Sequence, residues 1–240
     1  YDTAVTGHHE DSEHISEDLA VYQNIQETGG GYENQRSWST LDWLNYQPQS
    51  HFNIGIGPGL GYDNADFGPD SVYEQAEGRL NWLASKILSF QLNAGVQESE
   101  FLGGEGAGDL FSPIYGGTIQ FQPFAQTQLS VFANRSVSPT VFVGEYSENT
   151  SIGCSVGQRF FGQIFLDVSG SYNNQQYVAS ASDIAAARTD KFYSLSVRLS
   201  HSFLQRGNVS IFYQYGRDNS TAGGYSFISN QFGAEVSYSF

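Results

Sequence analysis

The chain has 240 residues and a formal net charge of −15 at pH 7, and this acidity excludes a nucleic-acid binder, which needs basic patches. Apolar residues make up 39 % and charged residues only 15 %, while aromatics reach 15 %, more than a disordered chain carries. No run approaches the roughly 18 apolar residues of a membrane helix, and the lone Cys154 excludes a disulfide-stapled domain.

Residues 1–36 read as an acidic N-terminal loop or partial strand, set apart from 37–240. Tyr1 opens a polar stretch with neither the basic start nor the apolar core of a signal peptide. His8, His9 and His14 stand among Glu10, Asp11 and Glu13. Such groups can hold a divalent metal, but the spacing matches no defined site, and a solvated acidic loop is the stronger reading. No metal or other cofactor is expected. Leu19 to Gln26 is a weak strand candidate, closed by Gly29, Gly30 and Gly31.

From Ser37 a repeating plan sets in. Ser37 to Tyr46 reads as a strand, followed by a turn over 47–50. Phe52, Ile54, Ile56, Leu60 and Tyr62 then share one face opposite Asn53 and several glycines. Ala76, Leu80 and Trp82 alternate with Glu77, Arg79 and Asn81. Leu88, Phe90, Leu92 and Val96 alternate with Ser89, Gln91, Asn93 and Gln97. Two more hairpins follow, one through Ile119 and Val131 and one through Cys154 and Leu166. In the clearest hairpin Tyr193, Leu195, Val197, Leu199, His201 and Phe203 oppose Ser194, Ser196, Arg198, Ser200 and Ser202. His201 shares the apolar register, where a lipid headgroup contact is a better reading than catalysis.

The last strand, Gln231 to Phe240, carries Phe232, Val236, Tyr238 and Phe240 on one face and Glu235 on the other. Its alternation alone would also fit the edge of a soluble sandwich, and its ending favours the other reading. Its aromatic end resembles the C-terminal assembly signal of Gram-negative outer-membrane barrels.

Connections alternate between short (47–50, 85–86, 123–126, 161–162, 204–207) and long (64–71, 101–112, 138–146, 173–190, 217–226). Outer-membrane barrels have short periplasmic turns and long outside loops, whereas a soluble meander has no reason to sort loop length by end. The fold expected is all-β, an antiparallel up-and-down transmembrane β-barrel of about 12 strands, about 11 of them visible from Ser37 onward. Even strand number in such barrels requires at least one strand before Ser37, and a chain truncated at its N-terminus is favoured.

Ser112-Pro113-Ile114-Tyr115, Asn134-Arg135-Ser136-Val137, Gln158-Arg159-Phe160, Arg188-Thr189-Asp190, Tyr213-Gln214-Tyr215 and Asn230-Gln231 stand in an order similar to the beta-barrel porin 2 family of outer-membrane proteins. The likeness spans about Ser37 to Phe240. It implies a bacterial outer-membrane barrel with no catalytic residues. Its partners would be outer-membrane lipid and lipopolysaccharide, the barrel-assembly machinery and small hydrophilic solutes.

On this reading Tyr46, Trp82 and Phe203 belong to an aromatic girdle near the short turns. Arg79, Asp167, Arg198 and Glu235 lie at similar heights on the polar face. They either form a charged ring that filters solutes or pair as salt bridges in a narrow lumen. Neither a nucleophile with a base in reach nor a nucleotide fingerprint occurs, so no enzyme is expected. The two functions left are a passive pore for small hydrophilic solutes and a non-conducting structural or surface-binding barrel. In the second, acidic outside loops would bind ions, polysaccharide or other cells.

Overall fold

A computed structural model describes residues 1–26, 34–65, 70–102, 110–139, 145–179, 188–203 and 206–238. Among them every long element is a strand. The first five are β1 (Asp2–Glu10), β2 (Ile15–Gln26), β3 (Gln35–Leu41), β4 (Trp43–Gln49) and β5 (Phe52–Ala65). Next come β6 (Asp70–Ser85), β7 (Leu88–Leu102), β8 (Leu110–Phe124), β9 (Thr127–Pro139) and β10 (Glu145–Phe160). The last four are β11 (Ile164–Ala179), β12 (Arg188–Phe203), β13 (Gly207–Ser220) and β14 (Phe227–Tyr238).

All 14 strands form one sheet in which sequence neighbours pair antiparallel. This is the all-β, antiparallel, up-and-down architecture expected from the alternation. β3 and β4 share a single place in it, since β2 pairs β3 through Val21–Gln26 and β4 through Ile15–Asp18. The break falls at Asp42. Its N–H donates to the Pro58 carbonyl at 3.1 Å, while its carboxylate accepts from the Ala20 N–H and the Thr40 hydroxyl. The register is unbroken across Asp42, from Leu41–Gly59 to Leu44–Ile56 on β5 and from Thr40–Val21 to Trp43–Asp18 on β2, so β3 and β4 are one strand interrupted without an added residue.

The N-terminal 36 residues differ from expectation. They hold two full strands, β1 and β2, joined by a turn at 11–14 in which the Ser12 hydroxyl accepts from the Ile15 N–H. β1 escapes notice in the sequence because its outward set, Thr3, Val5, Gly7 and His9, has one apolar member larger than glycine. The strands also run further than expected. Much of the polar excursion over 173–190 is strand, because β11 continues to Ala179 and β12 begins at Arg188. Asn, Gln and Thr at these ends give no apolar alternation, yet cross-strand pairing continues from Asn173–Phe192 to Tyr177–Arg188.

The distribution of polarity is inverted relative to a water-soluble sandwich. Among the described residues the buried polar ones are Asn45, Asp63, Ser71, Gln97, Ser99, Ser112, Ser147, Ser210 and Asp218, and the buried hydrophobics are Ile114, Val137 and Tyr146. The apolar register faces outward and is exposed, through Leu92 and Val96 on β7, Leu195 and Leu199 on β12, and Phe232 and Val236 on β14. An apolar patch of this extent marks a surface made for something other than water.

Outward aromatics gather at two levels. Near the short turns are Tyr46, Trp82 and Phe203; Trp82 stacks on Phe90 with ring centroids 5.3 Å apart. A second level, not anticipated, joins Trp38 to Tyr62 at 5.8 Å and Tyr172 to Tyr193 at 5.1 Å. Both pairs sit directly opposite in the ladder. The stretch of β12 from Tyr193 to Phe203, tilted by roughly 45°, covers roughly 23 Å at about 3.3 Å per residue. That matches an apolar band roughly 25 Å tall between two aromatic girdles.

Candidate lumen lining and its charge clusters

Glycines on β5 let large polar side chains lie flat across the inner face. A methyl group at Gly61 would stand 2.0 Å from the Tyr73 ring, and one at Gly55 2.7 Å from the Asn45 carboxamide oxygen. Side chains from β4 and β6 therefore occupy the space above a strand that has almost none of its own.

Arg79 on β6 is the centre of the first cluster. Its guanidinium pairs with Asp18 on β2, donates from Nε to Asn45 at 2.9 Å and stacks 4.4 Å from the Trp43 ring. Asn45 donates to Asp18 at 2.9 Å, and His8 Nδ1 lies 2.7 Å from the other Asp18 oxygen. A carboxylate shared by an arginine, an amide and an imidazole is well satisfied.

Arg198 on β12 anchors the second cluster. Nη1 donates to Glu235 on β14 at 2.6 Å and to the Ser210 hydroxyl at 3.2 Å, and the guanidinium lies 5.2 Å from the Phe212 ring. Asp167 is the cross-strand neighbour of Arg198 but not its ion-pair partner. It lines a shallow recess with Arg159, Gln126 and Gln158. The four charges read from sequence thus fall into separate groups, Arg79 with Asp18 and Arg198 with Glu235, towards opposite ends of the sheet.

Two further clusters lie towards the long-loop ends. Arg135 donates to Glu148 at 2.9 Å, to Thr150 at 3.0 Å and to the Pro113 carbonyl at 3.1 Å. Arg188 forms an ion pair with Asp190, Nε to carboxylate oxygen 3.1 Å, and lies over the rings of Tyr177 and Tyr225 at 3.8 and 4.5 Å. The motifs Asn134-Arg135-Ser136-Val137 and Arg188-Thr189-Asp190 were visible in the sequence as strand-end chemistry. Their partners Glu148 and Tyr177 were not, because they come from strands whose pairing only the sheet reveals.

The ladder between β8 and β9 stops at Tyr115–Arg135. Beyond it the ends of β9 and β10 lean towards the polar residues of β6–β8. The Ser112 hydroxyl donates to Glu148 at 2.6 Å, Tyr146 meets Ser71 and Ser99, and Val137, Tyr146 and Leu110 form a small apolar cluster.

The three histidines do not converge. His8 and His9 point to opposite faces of β1, with His9 3.3 Å from Asp11, and His14 lies in the turn with Nδ1 2.9 Å from the Gln47 carbonyl. No group of three or more potential metal ligands occurs among the described residues. On the terminal strand Phe232, Val236 and Tyr238 are exposed on the outward face; Phe240 lies outside the described residues.

No family model matches the chain, and no curated protein matches it. Among solved structures it is similar to the beta domain of the Bordetella autotransporter BrkA, at 13 % identity, 95 % of this chain, 100 % of that one and a TM-score of 0.34. A second likeness is to a chain from a study of in-meso crystallization of membrane proteins. There the identity is 11 %, with 93 % of this chain, 83 % of that one and a TM-score of 0.31. Likenesses this distant carry no functional argument.

Proposed function

We propose that this chain is the wall of a bacterial outer-membrane β-barrel acting as a passive, porin-like channel for small hydrophilic solutes. The observation that carries the reading is the inverted polarity of the sheet. Its outward face is an apolar band between two aromatic levels, and its inner face is serine, amide and charge, part of it paired. In hydrocarbon every backbone polar group must be bonded, which the antiparallel ladder achieves for the strands between β1 and β14 and which closure of the barrel would complete at those two edges. The strand lengths support it as well. β6 to β8 and β10 to β12 have 15 or 16 residues, more than the roughly 9–11 needed to cross a bilayer, so their polar ends extend into water.

One observation favours a second reading, a non-conducting structural or surface-binding barrel. The ends of β9 and β10 lean over the polar face and narrow the space above it. Reconstitution into planar bilayers separates the two. Discrete single-channel steps are expected for the pore; insertion into the bilayer without conductance would leave the structural barrel.

A further inference from the structure

We infer that the recess between the inner faces of β3 and β5–β7 and the end of β9 binds a small hydrophilic organic cation, an ammonium-bearing polyol or amino sugar. The inference rests on the polar face being accessible to solutes and names the class it would hold. The recess has a volume of about 450 Å³, within the usual range for small-molecule sites. Asp63 on β5, Tyr73 and Glu77 on β6, Gln97 on β7 and Arg135 on β9 are among the residues that line it.

Asp63 decides the charge of the ligand. It is 7 % exposed, lines the recess, and has no hydrogen-bond or ion-pair partner among the described residues. A buried carboxylate without a counter-charge is costly, and a bound ammonium supplies the missing partner. Arg135 cannot, since its guanidinium is committed to Glu148, Thr150 and the Pro113 carbonyl. Glu77 adds a second carboxylate, held in place by the Asn93 amide at 2.8 Å. An anionic solute would therefore meet two carboxylates. A neutral polyol would satisfy the amides and hydroxyls of the wall but leave Asp63 without a charge partner. The glycine at position 61 keeps Tyr73 flat against the wall, where its ring offers a face to the carbon skeleton of a polyol.

The test uses the full chain folded in detergent micelles and titrated calorimetrically at neutral pH. Three ligands of one size differ in charge: glucamine (cationic), sorbitol (neutral) and gluconate (anionic). Glucamine is expected to bind at least tenfold more tightly than the other two, and Asp63→Asn to remove that preference. Glu77→Gln, at a more open position, should weaken glucamine several-fold without affecting sorbitol. Equal binding of glucamine and sorbitol by the unmodified protein overturns the inference without recourse to any variant. So does a glucamine affinity unchanged by both substitutions. Binding in micelles needs no conduction. A protein that discriminates by charge but carries no current keeps the site and loses the channel; one that conducts without discriminating keeps the channel and loses the site.

Discussion

Arg198 and Glu235 meet at 2.6 Å across the intervening strand β13, with the Ser210 hydroxyl beside them. Asp167 stands directly opposite Arg198 on β11, yet the guanidinium turns away from it. Arg198 is one of the inward charges, and its reversal changes the polar face without touching the outward one. In a conducting barrel Arg198→Glu should raise cation preference, most clearly at low salt where screening is weakest. The measurement is the reversal potential across a salt gradient. An unchanged potential in an open channel would remove Arg198 from ion selection.

The outward face is tested on β12. Val197 lies between Val168 and Tyr213 in the ladder, at the middle of the apolar stretch from Tyr193 to Phe203. Val197→Arg should lower folding stability in bilayers by about 2–4 kcal/mol if that level is the midplane. Equilibrium unfolding from lipid vesicles reads the difference. A change near zero would put this face against water or protein.

Orientation follows from the segregated loop lengths. In a Cys154→Ala background, a cysteine placed at Lys86, in a short turn, should resist a membrane-impermeant maleimide on intact cells. One placed at Gly223, in the connection before β14, should react. Reaction at 86 with protection at 223 would invert the topology.

Gly61 makes a packing prediction. Gly61→Ala would place a methyl 2.0 Å from the Tyr73 ring and should destabilise by about 1–3 kcal/mol, as overpacking does. In a Tyr73→Ala background the same glycine substitution should cost little, which a double-mutant cycle reads. A cost undiminished in that background would mean that the clash is with the backbone instead.

The terminal strand tests assembly. Phe232 and Val236 are 77 % and 72 % exposed, so the end of β14 offers an apolar face to whatever receives it. Deleting Phe240 should lower the heat-modifiable, membrane-inserted fraction while leaving synthesis unchanged. Normal insertion of the deletion would show that the final aromatic carries no assembly signal.

What the residues alone determined was the alternation and its punctuation. Side-chain direction in a strand repeats every two residues whatever the neighbours are, so Tyr193–Phe203 against Ser194–Ser202 already defined two faces. The short turns between hairpins were legible for the same local reason. β1 and the upper halves of β11 and β12 were not, because they are held by backbone pairing while their side chains are polar on both faces. Only the sheet decided which carboxylate each arginine takes. Asp18 is 61 residues from Arg79 and Glu235 is 37 from Arg198, and a partner that distant is chosen by strand order and register. The setting of Asp63 belongs to the same level: its carboxylate becomes buried, without an ion-pair partner among the described residues, through what surrounds it in space, which no pattern along the chain records.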